Sequence, residues 1–140
     1  MTRDDVLALL ERRHDAMARR DMAAFGELYA AEAHLESPLG GAATGPAAIR
    51  KATEVFHSAF PDASLIEEPP IIDGLRVAIV AEVAGTHVGT IMGLPPSGRT
   101  FRFALTFVLD VEAGAIVRER RIYDFTGLLV QIGVLKAKPA

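Results

Sequence analysis

The chain contains no cysteine, no tryptophan and no asparagine. The first absence excludes disulfides, thiolate metal sites and cysteine nucleophiles. It also fits a reducing compartment, so a cytoplasmic location is expected. Basic residues are not in excess: 15 Lys and Arg face 18 Asp and Glu, for a formal net charge of -3 at pH 7. A nucleic-acid partner is therefore not expected. No stretch approaches the ~20 apolar residues of a membrane span. The opening MTRDDVLALLERR is charged on both sides of a short apolar run, unlike a secretory signal. The histidines are scattered, without H-x-x-x-H or H-x-H spacing, and no metal site is expected. No glycine-rich phosphate loop leads from a strand into a helix.

What is present is a chain of 140 residues, 50% hydrophobic. That is enough for one domain, 1–140, with a real core. Three helices are expected first. Residues 3–18 carry Val6, Leu9, Leu10 and Met17 at helical spacing. Asp21 reads as the N-cap of a second helix, buried through Met22, Phe25, Leu28 and Tyr29. A short strand, His34 to Pro38, precedes a third helix opened by Pro46, with Ile49, Val55, Phe56 and Ala59 on its inner face. The period then changes to two. An extended ASLIEEPPII, a turn at Asp73-Gly74, and the strands LRVAIVAEVAGTH, TFRFALTFVLDV and AIVRERRIYDF follow. TGLLVQIGVL reads as a short closing helix. This order predicts an α+β fold: a cone-shaped, curved, mostly antiparallel sheet with three N-terminal helices enclosing a pocket.

Between the two longest strands lies GTHVGTIMGLPPSGR, Gly85 to Arg99. Together with AFPD (Ala59 to Asp62) and YDFTGLLVQIG (Tyr123 to Gly133), it resembles the SnoaL-like polyketide cyclases, or ester cyclases. The resemblance implies the nuclear-transport-factor-like cone and a homodimer. It also implies a cofactor-independent enzyme, a lyase or isomerase, acting on a small hydrophobic molecule. An aspartate of that family removes an acidic α-proton, and the enolate closes a ring in an aldol step. The matching residue is Asp124. By strand alternation it shares a face with Ile116 and Ile122, where burial would raise the pKa of a carboxylate towards neutrality. Against this stands the ordinary role of an aspartate before a turn, capping TGLL.

Other candidates surround Asp124. His34 and Glu36 share one face of the first strand, and Glu36 could pair with Asp124. His87 shares parity with the apolar positions of its strand and reads more simply as a core histidine. Arg120 stands where the family usually has tryptophan, either as a ligand-binding cation or as a solvated rung of RERR. Phe25, Tyr29, Phe56, Phe60, Met92, Phe103 and Leu105 could line a pocket for a flat ligand, and would serve equally as core. His57 reads as a surface residue. The histidine that known cyclases use on the strand before the last is missing from 101–110.

Three functions follow: ring closure by acid–base chemistry, binding without turnover, or epoxide hydrolysis. The last needs an asparagine that the chain lacks. On the strand 100–111, Ala104, Thr106 and Val108 form a second weakly polar face, read as a homodimer contact.

Overall fold

In the computed structural model, which describes residues 1–136, the elements run α1 (Arg3–Arg19), α2 (Met22–Glu27), β1 (Tyr29–Ser37), β2 (Gly41–Thr44), α3 (Pro46–Ala59), β3 (Ser64–Glu67), β4 (Ile71–Asp73), β5 (Arg76–Thr86), β6 (Thr100–Glu112), β7 (Ala115–Tyr123) and α4 (Phe125–Gln131). The seven strands form one curved sheet in the order β2-β1-β7-β6-β5-β3, with β4 also on β5. Every pairing is antiparallel except β1 with β7. The fold is an α+β cone, its sheet unclosed and its concave side covered by helices.

Local chemistry explains the boundaries. Thr2 and Asp5 form a reciprocal capping box at the start of α1. Asp21 accepts the Ala24 N–H at the start of α2. Pro46 occupies the first turn of α3, where a missing N–H costs nothing. The β6–β7 hairpin turns on Ala113 and Gly114, both with positive φ (50° and 83°), as a tight two-residue turn requires. The concave side of the sheet buries Val77, Ile79, Ala81 and Val83 of β5 against Phe101, Phe103, Leu105 and Phe107 of β6. Ile49 and Ala59 of α3 are buried with them, but Val55 is 43% exposed and belongs to the outer side of its helix. The inner stripe runs instead through Ile49, Thr53 and Phe56.

The position of β7 departs from simple alternation. Val111 pairs with Ile116 but Asp110 pairs with Arg118, so Val117 is an extra residue in the ladder. Such a bulge moves every later side chain to the opposite face. Glu119, Arg121 and Tyr123 therefore point into the cone, while Arg120 and Ile122 point out.

The GTHVGTIMGLPPSGR segment is the β5–β6 connection, and it is a clamp. The His87 N–H donates to the Arg99 carbonyl at 2.9 Å and the Gly98 N–H to the His87 carbonyl at 2.9 Å. The Gly89 N–H donates to the Ala59 carbonyl at the end of α3, at 3.0 Å. A Cβ on Gly89 would lie 1.9 Å from the Ser58 carbonyl oxygen. Gly89→Ala should therefore push the loop off α3 and cost about 1–3 kcal/mol, read as a lower urea midpoint. An unchanged midpoint would show that this contact is not a constraint.

Candidate functional site

One carboxylate organises the interior. Glu119 is fully buried, and its Oε1 accepts Arg13 Nε at 3.2 Å, Arg13 Nη2 at 3.0 Å and the Tyr29 hydroxyl at 2.6 Å. Its Oε2 accepts Arg121 Nε at 2.7 Å. Arg121 Nη2 donates to Thr53 Oγ1 at 2.9 Å, and the Thr53 hydroxyl donates to the Ile49 carbonyl at 3.0 Å. Arg13 lies on the apolar stripe of α1 and stacks over Phe107, 4.3 Å from the ring centroid. Glu67 of β3 completes the set, 3.8 Å from Arg13 Nη1 and 3.3 Å from His14 Nδ1.

Burial alone would raise the Glu119 pKa. The charges of Arg13 and Arg121 and the bonds from Tyr29 and Arg121 outweigh it and hold the carboxylate at about 2. Burial and the Glu119 charge push the Tyr29 hydroxyl up, so it stays a neutral donor. For Arg13, the burial penalty is overcome by Glu119, Tyr29 and Glu67, and its pKa is raised.

Above this network lies a cavity of about 270 Å³. Its walls are mostly apolar: Met17, Phe56, Leu65, Phe103, Leu105 and Phe107. Phe56 meets Phe103 edge-on, and Phe103 stacks on Tyr123 with centroids 4.9 Å apart. Its polar lining is His14, Arg20, Ser37, Thr53, His57, Ser64, Arg121 and Tyr123. No carboxylate lines it among the described residues. Arg121 is 10% exposed and forms part of the cavity lining. Arg20 is the C-cap of α1 in the left-handed region (φ 55°), a conformation usually left to glycine, and it donates to the Ala63 carbonyl at 3.3 Å. His57 is held at about 4 by desolvation, then by the charges of Arg20 and Arg121, so its imidazole is neutral at pH 7.

The residues named from sequence separate into two groups. Phe56, Phe103 and Leu105 line the cavity. The others do not. Asp124 is exposed: it is the N-cap of α4, its Oδ1 accepting the Gly127 N–H at 2.8 Å. The expectation that it shares a buried face with Ile116 and Ile122 fails because of the Val117 bulge, and Ile122 itself is 52% exposed. Arg120 faces outward for the same reason. Glu36 is on the outer face, bonded to Arg118 Nη2 at 2.8 Å, and that pairing holds its carboxyl below the usual range. It cannot form a carboxylate pair across the cone. His34 stands beside it, 3.3 Å from Thr44 Oγ1.

His87 is buried, its Nδ1 accepting the Ser97 N–H at 3.1 Å, and its ring packs edge-on to Phe60 away from the cavity lining. Phe25, Tyr29 and Phe60 are core beneath the cavity, not its wall. Met92 is 53% exposed in the turn between Ile91 and Leu94. Missed from sequence were Arg13, Glu119, Arg121 and His57. One signal was available for Arg13, an arginine in register between Leu9, Leu10 and Met17. None was available for Glu119 and Arg121, which sit in a run that reads as an exposed ladder.

A family model for SnoaL-like polyketide cyclases matches residues 8–132. The chain belongs to this family. It is similar to nogalonic acid methyl ester cyclase of Streptomyces nogalater, 31% identical over 94 residues, covering 66% of this chain and 70% of that cyclase. Among solved structures, AclR of Streptomyces galilaeus superposes with a TM-score of 0.83 at 25% identity, over 99% of this chain and 87% of AclR. An NTF2-like protein of Burkholderia pseudomallei superposes with a TM-score of 0.80 at 18% identity, over 95% of this chain and 99% of that one, which speaks to the fold alone. Among the described residues, no helix is long and apolar enough to cross a membrane, and no cluster of acidic and histidine side chains could hold a metal ion.

The network sets a pH dependence. Glu119 has a lower pKa folded than unfolded, so its contribution is complete above about pH 4.5 and is lost as the pH falls towards about 2. Glu119→Gln removes the charge that two buried arginines share and should cost about 3 kcal/mol at pH 7. Its urea midpoint should also fall less between pH 4.5 and pH 3 than that of the unaltered protein, in which Glu119 adds to other carboxylates held low, Glu36 and Asp62 among them. Parallel midpoint curves for the two proteins would refute this assignment.

Proposed function

We propose that the chain is an acid–base enzyme of the polyketide-cyclase kind, closing a ring in a small hydrophobic, carbonyl-rich substrate by an aldol-type step, with the cavity's own side chains as its chemical groups. The single observation that carries this reading is the cavity itself. It is an apolar, aromatic-walled space in a SnoaL-family chain, ending on the buried guanidinium of Arg121. The relative named nogalonic acid methyl ester cyclase supports the reaction class.

The roles follow from the charges. An α-proton between two carbonyls is acidic enough for a weak base. Neutral His57 takes it, and the enolate oxygen is stabilised by Arg121 and Arg20 in a low-dielectric site. The enolate carbon attacks a second carbonyl, a C–C bond forms, and the new alkoxide takes the proton back from His57. Arg121 needs no reorganisation for this, because Glu119 and Thr53 already hold it. In this reading Asp124 closes α4 and stays outside the chemistry. The second reading is binding without turnover, favoured by the low basicity of His57, the pKa of which burial, Arg20 and Arg121 hold at about 4.

A homodimer belongs to the same proposal. The convex face of the sheet presents Val80, Ala104, Thr106, Val108 and Ile122, framed by the Arg102–Glu82 and Arg76–Asp110 pairs at 2.8 Å. A weakly polar centre within a charged rim suits a contact between two copies.

Two outcomes are expected. On aromatic substrates bearing a linear 1,3-diketone chain, His57→Gln and Arg121→Met should each lower kcat/KM for ring closure at least ~100-fold. Asp124→Asn, which still caps α4, should stay near the unaltered rate. Full turnover in His57→Gln, or its collapse in Asp124→Asn, would overturn the roles. For assembly, Thr106→Arg should shift a dimer towards monomer in light scattering, and a mass near 15.0 kDa for the unaltered chain at micromolar concentration would refute the dimer.

A further inference from the structure

Arg121 has more hydrogen-bonding capacity than the protein uses. A guanidinium carries five N–H donors. Glu119 takes the one on Nε, and Thr53 takes one on Nη2. The Nη1 pair and the second Nη2 hydrogen make none of these bonds, and the side chain lines the cavity. The remaining donors of a planar guanidinium are two-pronged, a shape that can engage both oxygens of a carboxylate.

The charge around it is one-sided. Arg20 lines the same cavity from the end of α1, in a backbone conformation that disfavours any side chain larger than glycine. The acids nearby are all engaged elsewhere. Glu119 lies behind the wall, bonded to Arg13, Tyr29 and Arg121. Glu67 faces Arg13 and His14. Asp62, which lies near Arg20, spends both oxygens on the Thr86 N–H and hydroxyl outside the cavity, each at 2.8 Å.

We infer that the ligand of this cavity is itself an acid: a small, flat, conjugated carboxylate whose anionic group seats on the remaining donors of Arg121 with Arg20 beside it. This rests on the cavity being the ligand site proposed above, and names the substrate class it selects. The cavity's size limits the rest of the molecule. About 270 Å³ is below the ~300–1,000 Å³ of sites that enclose drug-sized ligands. Phe56, Phe103 and Tyr123 then provide the faces and edges against which one or two fused rings pack.

His57 reports the arrival of such an anion. It faces Arg20 and His14 of α1 and Arg121 and Tyr123 of β7 across the cavity, with no acid in the lining among the described residues. Burial first, and then the charges of Arg20 and Arg121, keep it unprotonated in the free protein. A bound carboxylate cancels part of that repulsion and moves the His57 pKa up towards neutrality, so the imidazole becomes a stronger base that is still mostly neutral at pH 7 and takes up protons only as the pH falls towards 5.5. Anion binding and proton uptake are then linked, and affinity for an anion rises as the pH falls from 7 to 5.5. A neutral ligand shows no such link.

The test is a binding titration of 2-naphthoate and methyl 2-naphthoate, with no turnover required, so it stands whether or not the protein is an enzyme. At pH 7 the unaltered protein should bind the acid at least about tenfold tighter than the ester. Arg20→Met, which leaves the Glu119 network intact, should lower that preference at least about threefold, and Arg121→Met should abolish it. Binding of the acid should take up protons in buffers of different ionisation enthalpy and strengthen towards pH 5.5, where 2-naphthoate stays ionised, and both effects should vanish in His57→Gln. Far-ultraviolet circular dichroism reports whether each variant is folded. If Arg121→Met is unfolded, Arg20→Met and the proton uptake of the unaltered protein still decide the matter. An ester that binds as tightly as the acid overturns the inference. So does acid binding without proton uptake, or a preference unchanged in Arg20→Met.

Discussion

The interior of this protein depends on one buried carboxylate shared by two arginines. An isolated ion at that depth would be prohibitive, and a single ion pair would at best break even against apolar packing. Glu119 is tolerated because both oxygens are saturated: Arg13 and Tyr29 on one, Arg121 on the other. The three partners come from α1, β1 and β7, so the same bonds tie the first helix to both strands of the parallel seam. The cavity floor and the chain's tertiary connectivity are thus one object. This is also why Arg121 can be an effective cation. Its Nε and Nη2 are fixed from behind, so its place in the cavity lining is set before anything binds.

The second constraint is the extra residue in β7. A regular hairpin from Ala115 would place Arg118, Arg120 and Ile122 inside with Ile116, and Glu119 and Arg121 outside. Val117 breaks that parity and exchanges the two sets. The cone gains a charged floor, and Arg118 and Arg120 become part of the outer face, where Arg118 meets Glu36. A single inserted residue has thereby decided which arginine of RERR works inside.

The three segments that carry the family resemblance are fastenings of the fold. Asp62 of AFPD bonds the Thr86 N–H and hydroxyl, joining the end of α3 to the end of β5. Gly89 and His87 of the long connection lock it onto α3 and onto Ser97. In the last segment Asp124 caps α4, Leu128 and Ile132 are buried, and Gln131 bonds both the N–H and the carbonyl of Arg102. Asp124 even requires its neighbour: a Cβ on Gly127 would lie 2.2 Å from its Oδ2. Recognisable motifs here report the shape of the cone, while the groups facing its interior lie between them on ordinary strand and helix positions.

Local chemistry determined the helices, the turns and the alternating strands. Caps, the Asp73-Gly74 turn and two-residue periodicity all act between neighbours in the chain, so a reader of the sequence recovers them, and with them the α+β order and the cone. The apolar wall was legible for the same reason, since Phe103 and Leu105 alternate along β6. The polar half of the cavity was not. Which of two adjacent arginines faces inward depends on a bulge set by pairing across β6 and β7. Whether His57 is a surface imidazole or a desolvated one depends on Arg20 and Arg121, far from it in sequence. Asp124 had the right company in sequence and the wrong side in space. Burial, charge and face are properties of contacts between distant segments, and only the folded chain assigns them.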